Sequence, residues 1–98
     1  MDLNAVEQLK KVLSSITIEK DQIIYEEGEP LGDGYILSLG KVQLFKNTSN
    51  GKLAERQTIN SMQVFGVWNS ILGNNVRLFT AKALEKSSAL IIKKNYPG

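Results

Sequence analysis

The residues best placed to do chemistry in this 98-residue chain lie between Phe65 and Ala83. Phe65-Gly66 leads into Val67-Trp68-Asn69-Ser70-Ile71-Leu72, read here as a single helical turn, then Gly73-Asn74-Asn75 turns the chain and a strand is expected to begin with Arg77. The first N–H groups of a helical turn have no intrahelical partner and carry partial positive charge, so an anion can dock on them. Arg77 would close the other side, because its planar fork of donors fits a phosphate or carboxylate. The plainer reading makes Arg77 a solvated strand-edge charge and Phe65-Gly66 ordinary packing before a polar turn.

Other chemistry is excluded by composition. The chain has no cysteine and no histidine, so a disulfide scaffold, zinc finger, iron–sulfur cluster, Ser-His-Asp triad or His-based metal centre cannot be built from it. No catalytic or metal-ligating residue is nominated, and an enzyme on a cupin-like barrel is rejected for want of histidine. Twelve Lys and Arg against ten Asp and Glu give a net charge of +2, with the basic residues scattered. That is too little for direct nucleic-acid binding. The apolar runs are far too short for a spanning helix and the N-terminus lacks a signal-peptide core, so a cytoplasmic chain without membrane contact is expected.

The elements that must position Arg77 follow from periodicity. Leu3, Val6, Leu9, Val12 and Leu13 recur at helical spacing, with either Asn4 and Glu7 as a capping box or Asp2 as the alternative cap, predicting a short helix near residues 3–13. After Ser14-Ser15 the period becomes that of strands: Ile16 and Ile18 alternate with Thr17, and Ile23-Ile24-Tyr25 ends in the turn chemistry of Glu26 to Pro30. Gly32-Asp33-Gly34 precedes Tyr35-Ile36-Leu37, and Gly40 precedes Val42, Leu44 and Phe45. Asn50-Gly51 marks a hairpin tip, with Leu53 to Ile59 returning as the partner strand. Val64-Phe65, Phe79 to Leu84 and Ala89 to Lys93 complete the apolar runs. Turn signals about every eight to twelve residues predict an antiparallel sandwich or barrel, with Val42, Leu44, Ile59, Phe65 and Ile91 pointing inward.

The series Ile24-Tyr25-Glu26-Glu27-Gly28-Glu29-Pro30, Tyr35-Ile36-Leu37, Gly40-Lys41-Val42, Asn50-Gly51-Lys52, Phe65-Gly66 and Arg77 resembles the cyclic nucleotide-binding domain over residues 16–93. That family includes the sensors of catabolite-activator-like transcription regulators and of cyclic-nucleotide-dependent kinases and channels. The resemblance implies a mainly β protein: an antiparallel, jelly-roll-like β-roll with a short N-terminal helix and a short helical turn in a phosphate-binding cassette. One domain, 1–98, would divide into a helical cap (1–15), the roll (16–93) and a tail (94–98). The implied ligand site is Phe65, Gly66, Val67, Trp68, Asn69, Arg77, Leu78 and Phe79.

The cassette departs from the family pattern. Val67 stands where a Glu accepts a hydrogen bond from the ribose 2′-hydroxyl, and Trp68, Asn69, Ser70, Leu78 and Phe79 replace small residues. Val76 replaces a frequent Pro, Met62 a turn Gly, and Asp33 is an acidic residue displaced by one place. Two functions follow as expectations. One is a regulatory ligand-sensing domain of a signalling or transcription regulator that binds a cyclic nucleotide weakly or takes another small anion, with no other cofactor, and works through a homodimer or a partner domain. The alternative is a degenerate domain with a structural or protein-interaction role. Family sensors continue past the last strand into a helix that lids the ligand, whereas this sequence ends Asn95-Tyr96-Pro97-Gly98; a fragment of a longer regulator and a minimal domain both fit.

Overall fold

The computed structural model describes residues 3–47, 53–67 and 76–93. The chain opens on helix α1, Leu3–Leu9. This is shorter than the predicted 3–13, because the following turn tightens: Lys11 and Val12 donate to carbonyls three residues back, Gln8 at 3.2 Å and Leu9 at 3.0 Å. The tightening turns Val12 out to solvent, 75% exposed. Of the predicted apolar stripe only Val6 is fully buried, while Leu9 and Leu13 pack partly and Leu3 is exposed.

The strands are β1 (Ser15–Ile18), β2 (Ile23–Tyr25), β3 (Gly34–Leu39), β4 (Lys41–Asn47), β5 (Leu53–Asn60), β6 (Val64–Phe65), β7 (Thr80–Ala83) and β8 (Ser87–Ile92). They form two four-stranded sheets, β1-β8-β3-β6 and β2-β7-β4-β5, and their ladders are antiparallel. The expected antiparallel roll is therefore present. Its core lies between the sheets, where Ile18, Leu37, Val42, Leu44, Ile59 and Phe65 meet around the small side chains of Ala81, Ala83 and Ala89.

Period two explains both faces of the first sheet. Tyr35 and Leu37 of β3 lie opposite Ile91 and Ala89 on the inner face, and Ile36 pairs with Leu90 on the outer one. The outer pair is covered by Val6 of α1, so Leu90 is fully buried, while Ile91 shares the inner face but stays half-buried beside Tyr35.

Gly40 marks the corner at which the chain leaves the first sheet for the second. Its φ of 108° suits glycine, and an added Cβ would lie 2.1 Å from Ser87 Oγ and 2.7 Å from Ser87 Cα. Ser87 braces this corner: its buried hydroxyl accepts from Lys41 N–H at 3.2 Å and donates to the Glu85 carbonyl at 2.8 Å. At the turn between β5 and β6, Met62 holds a φ of 75°, a left-handed conformation at the place where the resembled family uses glycine.

Three sequence expectations are revised or left aside. The strand expected to begin with Arg77 begins at Thr80, since Arg77 is stitched instead to the β2–β3 link: its N–H donates to Glu29 O (2.8 Å) and its carbonyl accepts from Gly28 N–H (2.9 Å). The Asn50-Gly51 tip and the helical turn beyond Val67 fall outside the described residues. The strands flanking that tip do pair antiparallel, with Asn47 opposite Leu53.

Candidate ligand site

Three aromatic rings prepare the floor of the site. Register places Tyr35 opposite Phe65, and their rings stack at 5.2 Å between centroids; Tyr25, at the end of β2, stacks on each at 6.4 Å. Near-parallel rings at these separations add attraction beyond simple burial. Of the three rings, Phe65 is the most deeply buried, at 3% exposure in the core.

Arg77 lies on the open face of Tyr25, its guanidinium carbon 3.9 Å from the ring centroid. Nη1 donates to the Gly66 carbonyl at 2.5 Å and Nη2 to the Asp33 carbonyl at 2.6 Å. The side chain is therefore no solvated edge charge, being only 5% exposed. One cation joins three segments that are distant in sequence. The fit needs glycine at 66, where an added Cβ would sit 3.0 Å from Tyr25 Cε2 and 3.3 Å from Arg77 Nη1.

Burial governs the tyrosines. It pushes the Tyr25 phenol up to about 12, against the opposing pull of the Arg77 cation, and raises Tyr35 for the same first reason. Because the fold favours the neutral phenol of Tyr25, its contribution is whole below pH 10, where the unfolded phenol titrates, and is lost as pH climbs from 10 to 12. Stability is expected to fall by roughly 2 kcal/mol across that window. Urea melts read alongside tyrosinate absorbance will check this, and a Tyr25 that ionises at pH 10 would refute it.

Next to the guanidinium is a cavity of about 220 Å³, lined among others by Tyr25, Leu31, Leu44, Gly66, Val67 and Val76, with Arg77, Leu78 and Phe79 closing it. Five of the sequence-nominated residues, Gly66, Val67, Arg77, Leu78 and Phe79, thus come together here. Phe65 lies below, and Trp68 and Asn69 lie outside the described residues. The strand end at Tyr25 and the wall residues Leu31, Leu44 and Val76 were not nominated; for Tyr25 the available signal was an aromatic closing a β-rich run just before a glycine turn. Lys46 fixes the exit of the cassette: its Nζ reaches Glu27 Oε2 (3.2 Å) and the Leu78 carbonyl (3.0 Å) and lies over the Phe79 ring.

Residues 15–96 match the family model described as the cyclic nucleotide-binding domain. The chain belongs to that family. The domain is thus of a regulatory, ligand-sensing kind. A transcriptional regulator from Thermotoga maritima is similar at 27% identity and a TM-score of 0.76, covering 96% of this chain and 70% of its own. FixK2 from Bradyrhizobium japonicum is similar at 25% and 0.76, covering 85% and 40%. The EAL enzyme Bd1971 in its cAMP-bound form is similar at 27% and 0.74, covering 83% and 22%. This chain therefore spans from about a fifth to about three-quarters of the length of the solved chains it matches. Among curated proteins none matches the chain. Among the described residues no helix is long and apolar enough to cross a membrane, and no cluster of His, Cys, Asp or Glu is built to hold a metal ion.

Proposed function

We propose that this chain is the non-enzymatic, cytoplasmic ligand sensor of a signalling or transcription regulator, and that it binds a small anion at Arg77: a cyclic nucleotide weakly, or another anionic ligand. The observation that carries this is the guanidinium, held in place on Tyr25 at the edge of the cavity. A related domain in Bd1971 is described in cAMP- and cGMP-bound forms, which supports the ligand class. Gly66, Val67, Leu78 and Phe79 would contact the ligand with Arg77, on a floor provided by Phe65; Trp68 and Asn69 would complete the cassette. Output would pass to a second copy or to a partner domain.

Thermal unfolding with cAMP and cGMP tests the proposal, since ligand at a hundred times its Kd adds about 2.7 kcal/mol. A second reading, a closed module used for structure or protein contact, is favoured by one observation: two of the guanidinium's donors already serve the chain's own carbonyls. No response to any anionic ligand would decide for that reading.

Val67 separates degrees of binding. It is 53% exposed at the cavity, so a longer polar side chain fits there without entering the core. If the missing carboxylate is the main defect, Val67→Glu should tighten cAMP binding by roughly 1 to 3 kcal/mol, the value of a satisfied polar pair. Calorimetry will measure it, and an unchanged affinity in a folded variant would place the obstacle in the bulk of the cassette instead.

A further inference from the structure

We infer that the free edge of β1 pairs with β1 of a second copy of this chain, antiparallel about a two-fold axis at Ile16, joining the two first sheets into one. This surface lies at the far edge of its sheet from β6, so it goes beyond the sensing reading and does not depend on it. Hydrogen-bond parity shows what the edge offers. Ser14 O accepts from Ile91 N–H at 2.9 Å, and in the same register Ser15 lies opposite Leu90, Ile16 opposite Ala89 and Thr17 opposite Ser88. Bonded and unbonded pairs alternate along an antiparallel ladder, so the backbone N–H and C=O groups of Ser15 and Thr17 turn away from β8. Both residues are exposed.

The other sheet edges carry devices that blunt pairing. β6 is two residues long, β2 shifts register between Ile23 and Tyr25, and β5 shifts opposite Leu44 and Phe45, includes Glu55 and Arg56, and spends its Asn60 N–H on Gln63 Oε1 at 2.8 Å. Shortness, bulges and charge are what keep sheet edges apart. β1 reads Ser15-Ile16-Thr17-Ile18, keeps one register against β8, and has no charge, proline or glycine.

Self-complementarity selects a second copy as the partner. With Ile16 on the axis, Ser15 of each copy meets Thr17 of the other, and each such pair exchanges both backbone bonds. Ile16, half-buried against the core, then meets its own counterpart at an unbonded position, where side chains approach most closely. Charge favours the antiparallel sense: exposed Lys10 and Lys11, before the strand, come to the same end of the seam as Glu19-Lys20-Asp21 of the second copy, net basic against net acidic.

Sedimentation of the whole chain, without ligand, between roughly 10 µM and 1 mM tests the inference, because so short a seam makes a weak dimer. A monomer–dimer equilibrium is expected, with amide exchange at Ser15 and Thr17 slowing as concentration rises, and slowing more than at Ile16 and Ile18. Thr17→Pro removes an edge N–H from each copy and no bond to β8, so it should weaken association roughly tenfold or more. Ser15→Pro should do the same from the first residue of the strand, where proline is tolerated. A chain that stays monomeric throughout that range would overturn the inference. So would a dimer that leaves the Ser15 and Thr17 amides unprotected, or one of unchanged strength in either folded variant.

Discussion

Replacing Gly40 with alanine is expected to remove about 4 kcal/mol of stability, enough to unfold a substantial fraction of a small domain. Two costs add. The new methyl would lie 2.1 Å from Ser87 Oγ and 2.5 Å from Ser87 Cβ, distances that real side chains do not tolerate, so the corner between the sheets must open. An L-residue must also hold a φ of 108°, outside the regions open to it. Opening the corner breaks the Ser87 hydroxyl's bonds to Lys41 N–H and Glu85 O. Ser87→Gly should not rescue the variant, because Ser87 Cα itself would remain 2.7 Å from the new methyl. Urea denaturation of the single and double variants is the measurement, and full rescue by glycine at 87 would show that the clash was only with the hydroxymethyl group.

Arg77→Met, which keeps much of the side-chain volume, should cost about 3 kcal/mol with no ligand present. Two charge-assisted bonds disappear, the carbonyls of Gly66 and Asp33 lose their donor, and the face of Tyr25 loses its cation. Arg77→Lys should recover only part of this, since one ammonium cannot reproduce the fork that reaches both carbonyls. Denaturant melts of ligand-free protein measure the effect. A loss below about 0.5 kcal/mol, the range of an ordinary surface substitution, would mean that the guanidinium contributes little to the empty fold. Arg77 would then be acting for a ligand alone.

Much of the roll was legible because period-two alternation is a local property. Val42, Leu44, Ile59 and Phe65 were expected inside and are buried, and the change of period after Ser15 marks where helix gives way to strand. The helix end was misjudged because Val12 fits the stripe as a residue type, and only the tightened turn at Lys11 and Val12 points it outward. Arg77 was picked out by its type and by the resemblance, yet its partners were not readable: they are backbone carbonyls at positions 66 and 33, which no side-chain pattern announces. For the same reason Gly40 read as a turn residue, while the Ser87 that makes it indispensable lies far along the chain.

Helix α1 has seven residues, well short of the roughly 12–15 at which an isolated helix becomes even marginal in water. Its persistence depends on Val6 resting on Ile36 and Leu90, with partial help from Leu9 and Leu13. A segment held by so few contacts opens independently of the sheets beneath it, at a free energy below that of global unfolding. Backbone amides of residues 7–13 should therefore exchange with deuterium well ahead of those in β3 and β8. Each such opening bares the outer face of Ile36 and Leu90, so the surface that a passing chain would meet on this domain is larger in time than it is at rest.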